Sequence, residues 1–208
     1  MLSCTKTEWI LKLRFLGVHI EHKGEEIKMI QKGLTTQIID ALGVQNGKLQ
    51  DTLAVAPLPL DKDGDPPNGT CNCASVIGML QHLQAHSQPD ITVAVSQGAH
   101  FVHSPKQSHE EALEHIGMCL RKTEDKGLVF QPSENIKINC CMDTDFSGLW
   151  GCEDPKNPTV AKNRTGFIIA ISNCPVIWSS KSQSSVALST VEAQCNALSS
   201  AMRDLLPF

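Results

Sequence analysis

Two aspartates, Asp143 and Asp145, stand at the end of a segment with strand character, and Glu192 opens the last helical segment of the chain. A carboxylate at a strand end and another on a helix packed over the same sheet can converge on one divalent cation. Magnesium takes hard oxygen ligands in near-octahedral geometry. Two such ions about 4 Å apart can activate a water and stabilise the leaving oxygen of a phosphodiester. Spacing alone leaves plainer roles open. Ser189-Thr190-Val191-Glu192 is also a capping box, in which Glu192 accepts from a backbone N–H, and Asp145 can simply close a strand.

Other groupings offer less. Cys71, Cys73, His82 and His86 can be assembled into a zinc set, but the cysteines have one residue between them where zinc sites usually have two to four. Cys140 and Cys141, adjacent on a strand, point to opposite faces. Asp143-Thr144 lacks the glycine of an aspartic-protease motif, because Asp145 takes its place. Arg121, Lys122 and Lys126 can touch phosphates, yet cations there also suit a helix C-terminus. Trp178 can stack on a base or pack in a core. Asn68 and Asn163 open glycosylation patterns that mean nothing without secretion.

The elements that must position these groups fall into three stretches. Residues 15–31 alternate apolar and polar about Lys23-Gly24, which predicts a β-hairpin, and Leu34 to Leu42 predicts a helix capped by Gly43. A loop or linker with Pro57, Pro59, Pro66 and Pro67 occupies 50–70. Apolar stripes over 73–130 predict three short helices, the third starting at Ser108 with Glu111 as its capping-box partner. Beyond Pro132 come a strand over Ile136 to Met142, a polar loop over 153–164, and strands over Gly166 to Ile171 and Val176 to Ser179 joined by Ser172 to Pro175. A helix over Ser189 to Leu206 follows, with Ala193, Ala197, Ala201 and Leu205 at four-residue steps. The fold class read from this order is α/β or α+β. A sheet so small with one helix is marginal by itself.

The 208 residues are 41% hydrophobic and 19% charged with net charge −4, which excludes a disordered tail and disfavours a free-standing DNA-coating protein. No apolar run reaches a membrane span. Met1 to Phe15 lacks a signal-peptide core, so the expected setting is intracellular, cytoplasm or nucleus, with no membrane partner. Nine cysteines, an odd number without a secretory signal, do not make a disulfide framework. Tyrosine is absent altogether.

Four stretches taken together carry a resemblance. They are Cys141-Met-Asp-Thr-Asp-Phe-Ser-Gly-Leu-Trp-Gly, Asn163-Arg-Thr-Gly-Phe, Cys174-Pro-Val-Ile-Trp-Ser-Ser-Lys-Ser-Gln and Ala187-Leu-Ser-Thr-Val-Glu-Ala-Gln. The chain resembles copia-type LTR retrotransposon Pol polyproteins, whose ribonuclease H domain opens with patterns like D-A-D-x-A-G, R-T-G-Y, W-x-S-K-x-Q and S-T-x-E-A-E-Y. Upstream, Phe15-Leu-Gly-Val-His-Ile is similar to the segment that follows the polymerase palm. Ala74 to Leu80, Gln88 to Ser96 and Phe101 to Pro105 resemble the helical connection between polymerase and nuclease.

The resemblance implies an organisation: 1–66 as the C-terminal part of a reverse transcriptase, 67–132 as the connection, and 133–208 as a truncated ribonuclease H-like sheet with one covering helix. It implies Asp143 and Glu192 as catalytic Mg²⁺ ligands, with Asp145 the less direct one. The implied partners are an RNA–DNA hybrid or other nucleic acid and the rest of the polyprotein. It also implies that both active sites are incomplete, since the polymerase aspartates lie before Phe15 and the further nuclease carboxylates after Phe208. The expected function is therefore a reverse transcriptase/ribonuclease H fragment, inactive alone. The alternative is a domesticated or decayed fragment that binds nucleic acid or a protein. Positions where the family shows tyrosine hold Cys71 or Cys73, His82, Cys141 and Cys195 here, as expected of a decayed copy.

Overall fold

A computed structural model describes residues 10–15, 17–53, 64–69, 71–145 and 162–207; the proline-rich centre of the linker (54–63) and residues 146–161, which include most of the polar loop over 153–164, lie outside them. The fold is mixed α/β, with helices and two antiparallel sheets.

Strands β1 (Ile10–Phe15), β2 (Val18–Lys23) and β3 (Glu26–Ile30) form a meander. The β2–β3 turn uses Gly24 at φ 63°, a left-handed conformation that glycine adopts without Cβ strain. The expected hairpin thus gains a strand on one side, and β4 (Leu128–Phe130), from the far end of the helical stretch, pairs with β3 on the other. Helix α1 (Lys32–Leu42) ends at Gly43, φ 67°, and the Val44 N–H reaches back to Ile39 O at 3.3 Å.

Helices α2 (Cys73–His86), α3 (Thr92–Ala99) and α4 (Gln107–Lys122) follow, with a 3₁₀ turn at Pro89–Ile91 leading into α3. Their apolar stripes meet α1 in one core built around Ile38, Leu80, Leu83, Ile91, Leu113 and Leu120. The helical unit therefore has four members, because the chain of α1 crosses the linker to complete it. The start expected at Ser108 is corrected. Lys106 is the N-cap, and its N–H donates to His109 Nδ1 at 2.9 Å, leaving Ser108 inside the first turn.

The second sheet has the order β5-β6-β7, from Ile138–Asp145, Arg164–Ile171 and Cys174–Ser182. Strand β5 runs on through Asp143 and Asp145 rather than ending before them. The β6–β7 turn is only Ser172-Asn173, at φ 50° and 68°. Both residues are left-handed, the geometry that matches strand twist in a two-residue hairpin. Cys174 and Pro175 belong to β7, where proline is tolerated because β7 is an edge. Helix α5 (Thr190–Leu205) lays Ala193, Ala197 and Ala201, all fully buried, against the face formed by Phe167 and Ile169. Small side chains at four-residue steps let the helix approach the sheet closely.

Candidate functional site

The carboxylates sit on β5 and α5, and their orientation follows from strand alternation. Cys140 packs with Phe167 and Ile169 against Ala201 and Leu205, so even-numbered residues of β5 look toward α5. Asp143, opposite Gly166, and Asp145, opposite Arg164, look the other way. Asp143 is exposed, and its Oδ1 accepts from its neighbour's Thr144 N–H at 2.8 Å.

Glu192 lies in the first turn of α5, on the covered side of the sheet. Ser189 Oγ accepts from the Glu192 N–H at 3.1 Å, while Glu192 Oε2 accepts from the Leu188 N–H at 2.8 Å. That reciprocal pattern satisfies helix-terminal donors and places a negative charge at the positive end of the helix. Asp143 and Glu192 thus stand on different elements, each engaged in a local hydrogen bond. A period of two turns Asp143 to the face that α5 does not cover, where it lines a cavity with Val93 and Trp178; a magnesium shared by Asp143 and Glu192 stays what the resemblance implies. Among the described residues no three His, Cys, Asp or Glu side chains are grouped to hold a metal ion.

The motif residues around them hold the sheet to its neighbours. Gln183 is buried. Its Nε2 donates to Thr165 Oγ1 at 3.0 Å and to Ala193 O at 2.9 Å, and its backbone N–H donates to Asn163 O at 2.7 Å. Arg164 reaches the opposite way, with Nη1 donating to Ser96 Oγ at 2.7 Å on α3. Burial draws its pKa below the ordinary arginine value, and the Asp145 charge works against that shift. Trp178 Nε1 donates to Gln84 O of α2 at 2.9 Å. Trp178 is accordingly a packing residue that docks the second sheet on the helices. Between the two lies an open cavity of about 320 Å³, with Pro89 and Val93 on one side and Cys141, Asp143, Ile168 and Trp178 on the other.

The remaining groupings resolve into local roles. Cys71 and Cys73 lie with their sulfurs 3.8 Å apart, and the Cys71 thiol is pushed up to about 12, by burial first and then by Cys73 and Glu110. A protonated thiol is a poor zinc ligand. His82 stacks on His86 with ring centroids 4.3 Å apart, and its Nδ1 pairs with Gln31 Nε2 at 3.2 Å. Arg121 donates to Gly47 O at 2.6 Å, and Lys122 is paired with Asp51, so two of the three cations expected near phosphate are tied to the chain itself. Asn163 is fully buried. Every described cysteine is free.

Sequence reasoning missed Glu110, a fully buried carboxylate on α4 that accepts from the Asn68 N–H at 2.8 Å and the Cys71 N–H at 3.0 Å. Its only signal is a position on the apolar face of the helix. Arg164 and Gln183 were visible as motif residues, though without their structural work.

No protein-family model matches the chain, and no solved structure matches it. Curated proteins do. A retrovirus-related Pol polyprotein from transposon RE2 of Arabidopsis thaliana is 25% identical over 193 residues, 92% of this chain. One from transposon TNT 1-94 of Nicotiana tabacum is 27% identical over 202 residues. The chain spans only 13% and 14% of those two proteins. An uncharacterized mitochondrial protein of A. thaliana is 25% identical over 188 residues, and 73% of its length is covered. No helix among the described residues is long and apolar enough to cross a membrane. The likeness read from the motifs is therefore borne out, and the chain is similar over 92% of its length to a retrotransposon Pol polyprotein.

Proposed function

We propose that the chain is the stretch of a retrotransposon Pol polyprotein in which the end of the reverse transcriptase (1–66) passes through a helical connection (67–132) into the opening of the ribonuclease H domain (133–208). By itself it leaves the RNA of an RNA–DNA hybrid uncut. One observation supports the second statement: among the described residues no three His, Cys, Asp or Glu side chains are grouped to hold a metal ion, and Asp143 and Glu192 each accept a local backbone hydrogen bond. Asp143 and Glu192 are the residues that would hold a magnesium ion, and two carboxylates hold it weakly. Ancestry and catalysis thus separate. The first is supported by collinear similarity over 92% of the chain.

Incubation with an RNA–DNA hybrid and Mg²⁺ tests the reading. The expected outcome is no product above buffer, with Asp143→Asn indistinguishable from the unsubstituted chain. Robust turnover that Asp143→Asn abolishes overturns it.

A second reading, a stand-alone non-catalytic protein that binds nucleic acid or a protein, is favoured by the mitochondrial relative, most of whose length this chain covers. Salt-dependent hybrid binding without cleavage is its signature.

A further inference from the structure

Cys71 and Cys73 flank Asn72, the N-cap of α2, whose backbone is extended at φ −83° and ψ 92°. In extended chain, residues two apart project to the same side. The two sulfurs therefore meet across Asn72, 3.8 Å apart and in contact. Asn72 is held in that conformation, because its side chain accepts from the Ser75 N–H at 3.1 Å. The Cys71 N–H donates to Glu110 Oε1 at 3.0 Å, and the Gln107 N–H donates to Asp65 O at 3.0 Å. The chain entering α2 is thus fastened to the first turn of α4, where Glu110 lies.

These surroundings oppose a charge on the pair and leave a bond within it unopposed. Burial first, then Cys73 and Glu110, keep the proton on Cys71. All three act against a thiolate. A disulfide carries neither charge nor polar hydrogen, so none of them bears on it. Closing the bridge also orders little, since the backbone on both sides is already fixed and the sulfurs already touch. Cys71 is half-buried and Cys73 buried. A dissolved reagent accordingly reaches Cys71 first, and Cys73 is the neighbour placed to displace it.

We infer that Cys71 and Cys73 are a thiol–disulfide redox pair that closes a bridge across Asn72 by exchange with a low-molecular-weight disulfide, oxidised glutathione being the probe. The Cys71 sulfur loses its proton and attacks one sulfur of the reagent, whose S–S bond breaks and releases one glutathione. The Cys73 sulfur then loses its proton and attacks the Cys71 sulfur, and the second glutathione leaves as the new bond forms. The chain gives up two electrons and two thiol protons, which are matched by two molecules of reduced glutathione. The first step is slow at neutral pH, because little of Cys71 is thiolate there. The product adds a covalent tie to α2 at the point where hydrogen bonds to α4 already hold the entering chain.

The test treats the full chain with excess oxidised glutathione at pH 8 and maps its peptides by mass spectrometry. The peptide carrying both residues becomes lighter by two hydrogens, resists iodoacetamide and regains both thiols on reduction. Cys73→Ser removes the displacing sulfur, so Cys71 keeps one glutathione. Cys71→Ser loses the bridge, and buried Cys73 takes up no glutathione. Circular dichroism checks that each variant keeps its fold, and the readout on the unsubstituted chain needs no variant. Three outcomes on that chain overturn the inference: Cys71 and Cys73 stay reduced after exposed Cys195 is fully modified, glutathione is retained on Cys71 in place of a bridge, or Cys71 is bridged to a cysteine other than Cys73. In the folded Cys73→Ser variant, a Cys71 that stays free of glutathione overturns it as well.

Discussion

The Gln183 carboxamide donates to Thr165 Oγ1 at 3.0 Å within the second sheet, and the same nitrogen donates to Ala193 O at 2.9 Å in the first turn of α5. Asn196 Nδ2 meets its oxygen at 3.5 Å. One buried side chain therefore joins β6, β7 and α5 at the point where the helix starts. Gln183→Leu keeps the volume but leaves these partners without a match. A buried group stripped of its hydrogen bonds costs about 1–3 kcal/mol. Thermal unfolding followed by circular dichroism reads this as a drop of several degrees, and a change under about 1 °C contradicts it.

The two carboxylates respond differently to neutralisation. Glu192→Ala removes the acceptor for the Leu188 N–H and an acidic group from a helix N-terminus, a loss of about 1 kcal/mol. Asp143→Asn sits on an exposed strand face and keeps an oxygen for the Thr144 N–H, so its stability stays within about 0.5 kcal/mol of the parent. Denaturant melts of the two variants check the ranking, and equal destabilisation contradicts it.

Cysteine reactivity follows thiolate content and access. Cys141 and Cys195 are exposed, whereas Cys71, with its thiol pushed up to about 12, stays protonated at pH 8. Timed alkylation with iodoacetamide and peptide mapping at that pH label Cys141 and Cys195 first. Labelling of Cys71 as fast as Cys195 contradicts the assignment.

His100 supplies a pH signature. Partial desolvation, and then the Arg164 charge, hold its pKa below the ordinary 6.5. The unfolded chain therefore takes up the proton first as pH falls, and stability drops as pH goes down through about 6.5 toward the lower native value. His100→Gln flattens this slope between pH 7 and pH 5. Urea midpoints across that range measure it, and an unchanged slope contradicts the prediction.

Local grammar was legible without a structure. The alternation around Lys23-Gly24, the Gly43 cap, the apolar stripes of α2 to α4, the Ser189 cap and the alanine ladder of α5 all depend on neighbours within a few residues, where periodicity and turn chemistry act. The resemblance to Pol polyproteins was legible for a related reason. Asn163, Arg164, Thr165, Gln183 and Ser189 do local and interlayer work that demands those residue types in that order.

Tertiary structure alone decided the rest. A strand's two faces are equivalent until something packs on one of them, so only the docking of α5 on the even-numbered face of β5 set Cys140 against Ala201 and turned Asp143 to the other face. Likewise, β4 joined the first sheet and Trp178 met Gln84 through pairings that span nearly a hundred residues. Such contacts arise from the shape of the assembled layers and leave no period in the chain.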